Sequence, residues 1–206
     1  MDNDKELTNK GVSRRGFLKG AGLTTAGTLV LHTGVLGKET SKPEKAKEAG
    51  PEAVNLKMNI NGKVRNLAVE PRATLAHALR DHLQLTGTKV VCDRGACSAC
   101  TVWIDEKPVN ACMTFVMDVG EQKVTTIEGL AIDGKLHPVQ EAFIEHDASQ
   151  CGFCTPGMIM SAANLVENNP NPTLENVRHA TRGNYCRCGT YPNVFKATLA
   201  AAKKMK

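Results

Sequence analysis

Eight cysteines fall into two groups of four, Cys92, Cys97, Cys100 and Cys112, then Cys151, Cys154, Cys186 and Cys188, with 38 residues between the groups. Four thiolates complete the coordination of an iron–sulfur cluster or of a zinc ion, so the count points to two metal sites. The first group runs C-x4-C-x2-C and adds its fourth cysteine after eleven residues, which is the spacing of a plant-type [2Fe–2S] loop. Such a loop must curl around an anionic cluster and aim its N–H groups at sulfur. Gly95, Ala96, Ser98 and Ala99 are small enough to allow that approach, while Arg94 reads as a solvated surface residue before it reads as a positive charge beside the cluster. The second group is C-x2-C, a 31-residue excursion, then C-x-C.

Two other readings stay open at this level. An even cysteine count suits disulfides, but the chain is no short loop-rich scaffold, and a Cys186–Cys188 bridge would close a very tight ring. Zinc suits C-x2-C pairs, yet has no particular use for C-x4-C-x2-C with a distant fourth ligand. The spacing favours iron–sulfur over both.

The elements around the cysteines divide the chain. Leu56, Met58 and Ile60 alternate, Asn61-Gly62 gives a type I′ turn signal, and Val64, Leu67 and Val69 follow, which predicts a β-hairpin. Leu75, Ala78, Leu79, His82 and Leu83 then recur at helical spacing. Residues 101–104, 109–112 and 123–127 are three further strand candidates, and a sheet wrapped on one helix is a β-grasp pattern. From about Leu136 the period changes. Four helical stretches, residues 137–146, 156–167, 173–182 and 192–204, predict a small four-helix bundle with the second quartet between its helices. Pro156 belongs near a helix start, Thr173 is a fair N-cap, and Asn169-Pro170-Asn171-Pro172 is a break. The expected organisation is α+β, with a sheet domain over residues 54–132 and a helical domain over residues 133–206.

Hydrophobic residues make up 41% of the 206 and aromatics 4%, so the core must rest on aliphatic side chains and Met. Net charge is +5, but residues 1–50 hold nine Lys/Arg against six Asp/Glu, which leaves the rest nearly neutral and argues against a nucleic-acid partner. Residues 38–53 contain almost no large apolar side chain and read as a solvated linker. Before them, Ser13-Arg14-Arg15-Gly16-Phe17-Leu18-Lys19 precedes a mildly apolar run, and this resembles a twin-arginine signal over residues 1–37. The run is too rich in Gly and Thr for a stable membrane span. The resemblance implies export of the folded chain to the periplasm.

Over residues 54–206 the chain resembles the small [2Fe–2S] subunits of the xanthine oxidase family of molybdenum hydroxylases. The similarity rests on Cys92-Asp93-Arg94-Gly95-Ala96-Cys97-Ser98-Ala99-Cys100-Thr101-Val102, on Gln150-Cys151-Gly152-Phe153-Cys154-Thr155-Pro156-Gly157, and on Cys186-Arg187-Cys188-Gly189-Thr190-Tyr191-Pro192. The last segment looks like the variant in isoquinoline 1-oxidoreductase and related bacterial aldehyde oxidoreductase small subunits. What the resemblance implies is a plant-type ferredoxin-like β-grasp domain followed by a helical [2Fe–2S] domain, each quartet holding one cluster. It further implies a molybdopterin-binding large subunit as partner, with the molybdopterin on that partner and with Gln150 contacting the pterin. Electrons would pass from the second cluster to the first, and then to an acceptor such as a flavin subunit or a cytochrome. The substrate, an aldehyde or an N-heterocycle, would be hydroxylated on the partner, and no catalytic residue is expected here.

Ser98 departs from the glycine that many members of the resembled family have at its place, and its side chain could narrow the loop or hydrogen-bond a cluster sulfur and shift its potential. The six histidines have no metal-ligand spacing and read as ordinary surface or helix residues, whereas Met58, Met113, Met117, Met158 and Met160 read as core filler or subunit contact. An independent ferredoxin-like carrier is the rival to the subunit reading.

Overall fold

The computed structural model describes residues 50–205. The signal expected over residues 1–37 and most of the linker expected over residues 38–53 lie outside these. Strand β1, Val54–Ile60, pairs antiparallel with β2, Lys63–Val69, through a turn in which Asn61 and Gly62 both have positive φ, 52° and 74°. That is the geometry the Asn-Gly pair favours, because two left-handed residues match the twist of the strands. The alternation places Met58, Ile60, Leu67 and Val69 on one buried face.

The helix expected from the Leu75 periodicity begins with a single α-turn, α1, Leu75–His77, capped by the Thr74 hydroxyl, and continues as a π-helix over Ala78–His82. Leu75, Ala76, Ala78 and Leu79 are buried under the sheet. Strands β3, Thr101–Ile104, and β4, Lys107–Asn110, form a second hairpin, and β5, Lys123–Thr125, completes a mixed sheet of order β2-β1-β5-β3-β4. The expected strand over 109–112 stops at Asn110. Ala111–Met113 is a 3-10 turn, which bends the chain so that Cys112 faces Cys100 instead of extending the ladder. The short helix α2, Val116–Val119, had no signal strong enough to be expected; four residues carry too little periodicity.

Past a 3-10 turn at Ile127–Gly129 come α3, Pro138–Glu145, α4, Thr155–Asn168, α5, Leu174–Thr181, and α6, Tyr191–Lys204. These are the four bundle helices. His137, read as an ordinary residue, N-caps α3: its Nδ1 accepts from Val139 N–H while its Nε2 lies 3.3 Å from Glu167 Oε1. Thr173 and Asn176 close a reciprocal cap on α5. None of the helices among the described residues is long and apolar enough to cross a membrane.

Strand β3 is buried on both faces, and this joins the two halves. Val102 and Ile104 enter the core under the sheet, whereas Trp103 belongs to the bundle core with Met158, Met160 and Val194. Its Nε1–H donates to the Met160 carbonyl at 3.0 Å, in a buried setting. A fully buried side chain of this size stabilises the fold by several kcal/mol, and its N–H is satisfied as burial demands. Trp103→Ala should therefore lower the unfolding free energy by about 3–5 kcal/mol. Urea denaturation followed by circular dichroism checks this, and a loss below about 1 kcal/mol would mean that Trp103 does not tie the halves together.

Candidate metal centres

Cys92, Cys97 and Cys100 lie on the loop between the π-helix and β3, and Cys112 on the 3-10 turn after β4. The register Thr101↔Asn110 brings the ends of the hairpin together, so the Cys112 N–H donates to Cys100 Sγ at 3.4 Å. The loop curls through three left-handed residues, Asp93, Gly95 and Ser98. The curl aims main-chain donors inward: Gly95 N–H reaches Cys112 Sγ and Ala96 N–H reaches Cys92 Sγ, each at 3.3 Å. Asn110 Nδ2 donates to the Gly95 carbonyl at 3.3 Å and pins the curl. This is the anion-binding concavity that the small residues were expected to permit.

In the second quartet Cys151 and Cys154 precede α4, with Pro156 in its first turn, and Cys186 and Cys188 occupy the turn before α6. Gly152 and Gly189, at φ 83° and 77°, make the tight bends. The Cys186 N–H donates to the Tyr191 hydroxyl at 2.8 Å, and that hydroxyl donates to the Asn184 carbonyl at 3.2 Å. Asn184, Tyr191 and Thr190, whose hydroxyl lies 3.2 Å from Cys186 Sγ, were missed by sequence reasoning. The one available signal was their nearness to the C-x-C pair.

All eight cysteines are free thiols. Each quartet divides into two pairs of neighbouring thiols that influence one another's ionisation: Cys92 with Cys97 and Cys100 with Cys112, then Cys154 with Cys186 and Cys151 with Cys188. Among the described residues no three Cys, His, Asp or Glu side chains converge on one metal ion. Two thiol pairs side by side is the donor set that two irons, each taking two thiolates, require.

The ionisation of the thiols follows their surroundings. The Arg94 N–H, with the Cys97 thiol and two further N–H groups, brings Cys92 down to about 7 against the smaller pull of desolvation. Burial pushes Cys100 up to about 12, and the neighbouring Cys112 thiol adds to the rise. Burial and the Cys186 thiol do the same for Cys154, also to about 12. For Cys186 burial opposes ionisation, yet the Thr190 hydroxyl and nearby N–H groups outweigh it and bring the thiol to about 7. Ionising a thiol next to its pair partner is disfavoured by the like charge of the partner, and bound cations relieve that repulsion.

The two loops are in direct contact. The Tyr185 N–H donates to the Cys97 carbonyl at 3.0 Å, and Asn184 Nδ2 donates to the Ser98 carbonyl at 2.9 Å. A Cβ at Gly157, on α4, would fall on that same Ser98 carbonyl oxygen, well inside van der Waals contact. The Ser98 hydroxyl is turned toward Gly183, 3.1 Å from where a Cβ there would stand. The two sites differ in cover: Cys97, Cys100 and Cys112 are buried, whereas Cys151 and Cys188 are exposed beside the exposed Gln150, Phe153 and Tyr185. Met58, Met158 and Met160 fill the cores, and Met113 lies exposed over Gly95.

Residues 58–126 match the domain family described as "2Fe-2S iron-sulfur cluster binding domain", and residues 126–199 match "[2Fe-2S] binding domain". The aldehyde oxidoreductase iron-sulfur-binding subunit PaoA of Escherichia coli strain K12 is 37% identical over 95% of this chain and 90% of that protein. The nicotine 6-hydroxylase small subunit of Paenarthrobacter nicotinovorans is 45% identical over 72% of this chain and 89% of its own. The crystal structure of quinoline 2-oxidoreductase from Pseudomonas putida 86 superposes with a TM-score of 0.71 and 40% identity, covering 74% of this chain and 95% of that one.

Fold and sites together define a two-domain protein that binds two [2Fe–2S] clusters for electron transfer. The chain belongs to the iron–sulfur subunits of the molybdenum hydroxylase family of oxidoreductases.

Gly157→Ala should separate the two loops, because neither the Ser98 carbonyl nor the helix backbone can yield freely. The expected loss is about 1–3 kcal/mol, together with weaker magnetic interaction between the reduced clusters. Denaturation and low-temperature EPR measure the two effects, and a fully stable variant with unchanged spectra would contradict the close contact.

Proposed function

We propose that Cys92, Cys97, Cys100 and Cys112 ligate one [2Fe–2S] cluster and Cys151, Cys154, Cys186 and Cys188 the other. We further propose that the chain takes electrons from a molybdopterin-containing large subunit that hydroxylates an aldehyde or an N-heterocycle. The observation that supports this most is the hydrogen bond from Tyr185 N–H to the Cys97 carbonyl, which links a ligand of the first loop to the residue next to Cys186 in the second. Each cluster supplies a site that gains and loses one electron without proton or bond rearrangement. The protein's part is to hold the thiolates in pairs, to point N–H groups at their sulfurs and to keep water from Cys97, Cys100 and Cys112.

The exposed Cys151 and Cys188, flanked by the exposed Phe153 and Tyr185, form the face that meets the large subunit, and Gln150 contacts its pterin, a role supported by the family resemblance of residues 150–157. Leaving two aromatic rings in water is unfavourable, and a partner surface offsets that cost. The first site, reached from the Cys92 side, delivers electrons to an external acceptor, a flavin subunit or a cytochrome. Nicotine, quinoline and aldehyde appear in the names of the relatives, and these aromatic N-heterocycles and aldehydes set the substrate range proposed for the holoenzyme.

Export to the periplasm by the twin-arginine route completes the proposal. Its support is Ser13-Arg14-Arg15-Gly16-Phe17-Leu18-Lys19, together with the similarity to PaoA over 95% of the chain, which takes in most of the leader.

Co-expression with a molybdopterin-binding large-subunit gene from the same genome should yield a complex with about four irons and about four sulfides on this chain, and two distinct reduced EPR signals. Cys188→Ser should remove the second signal alone. Phe153→Asp should weaken subunit association at least tenfold while iron content holds. A monomer that never binds a large subunit, or a preparation holding zinc, would sink the proposal. Separately, replacing Arg14 and Arg15 together by Lys should retain the chain in the cytoplasm; undiminished periplasmic protein on fractionation would refute the export route.

A further inference from the structure

Thr190 stands directly before α6, at the N-cap, where a threonine ordinarily turns its hydroxyl onto an N–H of the first helical turn. Here the side chain makes no cap bond. Its main-chain carbonyl accepts from Asn193 and Val194 instead, and the hydroxyl sits 3.2 Å from Cys186 Sγ. Both residues are buried, at 5% and 6% exposure, so water does not compete for the sulfur.

A ligating thiolate has no proton, which leaves the hydroxyl as the only possible donor of this pair. The local backbone explains why the hydroxyl is at position 190. Gly189 has φ 77°, a conformation open to glycine, and the next residue is the first that can hold a side chain against the sulfur. The first quartet has nothing equivalent among the described residues: the donors to its Cys92, Cys100 and Cys112 sulfurs are main-chain N–H groups.

We propose that the Thr190 hydroxyl raises the reduction potential of the cluster at Cys151, Cys154, Cys186 and Cys188, an inference that rests on the reading of that quartet as a [2Fe–2S] site. Reduction adds one electron and breaks no bond. The hydroxyl proton stays on oxygen, and its hydrogen bond strengthens as negative charge builds on sulfur. Burial magnifies the effect because no solvent screens it. Thr190 is thus a positioning and tuning residue that favours arrival of an electron at this cluster and sets the driving force for its departure.

The test is an EPR-monitored redox titration of the assembled complex with Thr190→Val, of nearly the same shape without the hydroxyl, and Thr190→Ser, which restores it. In the valine variant the reduced-to-oxidised ratio of the second cluster at a fixed potential should fall about tenfold, equal to about 59 mV for one electron. The first cluster should keep its potential, and the serine variant should titrate like the original protein. A valine variant with an unshifted second cluster, or a serine variant shifted as far as valine, would overturn the role of Thr190. If valine prevents loading, electron–nuclear double resonance of the unsubstituted protein in H2O and D2O decides: an exchangeable hydroxyl proton coupled to the second cluster supports the proposal and its absence refutes it. Failure of the ligand reading looks different, since the unsubstituted protein would then lack the second EPR signal altogether.

Discussion

The Ser98 carbonyl is the point on which the two halves of the molecule are registered. It accepts from the Thr101 N–H and hydroxyl within its own loop and from Asn184 Nδ2 across the domain boundary, and Gly157 lets α4 approach it. One carbonyl has only two lone pairs, so three donors and a closely packed helix leave little freedom of position. The adjacent Cys97 carbonyl, bonded to Tyr185 N–H, doubles the attachment. With the loop held in this way, moving either quartet would break bonds in the other.

Trp103 extends the same logic into the hydrophobic core. A two-layer β-grasp would leave one face of β3 open to solvent, but the bundle covers it, and the indole passes from the sheet into the bundle core. Rigid attachment suits an electron-transfer protein, whose rates depend on fixed separations between centres. It also explains why the second cluster loop can be left partly open at Cys151 and Cys188: its position is set from behind, by α4, α6 and the first loop, not by what lies in front.

The two sites solve the problem of holding anionic sulfur differently. The first relies on main-chain curvature, three left-handed residues that turn N–H groups inward, and so needs small side chains. The second sits at helix starts and uses side chains as well, with the Tyr191 hydroxyl bridging the Asn184 carbonyl and Cys186 N–H and the Thr190 hydroxyl facing sulfur. Side-chain donors can be varied without rebuilding the loop, which makes the second site the more tunable of the two.

Much was legible in the sequence because it depends on local spacing. The C-x4-C-x2-C loop, the Asn61-Gly62 hairpin, the change from two-residue to helical periodicity near Leu136, and the Pro156 and Thr173 helix starts all follow from steric and hydrogen-bonding rules that act over a few residues. Where local signals were short or mixed, tertiary packing decided: the helix at Leu75 tightened into an α-turn and a π-helix under the sheet, and β4 stopped at Asn110 so that Cys112 could turn toward Cys100. The functions of Ser98, Trp103, His137, Asn184 and Thr190 were not legible in advance. Of the two roles open to the Ser98 side chain, narrowing the loop or bonding a sulfur, the second is not seen: the hydroxyl faces Gly183, and Thr190 faces a sulfur instead. The bond from Asn184 to Ser98 spans 86 residues, and that from Trp103 to Met160 spans 57. No spacing rule reaches that far, since such contacts exist only once burial of the shared core has brought the two domains together.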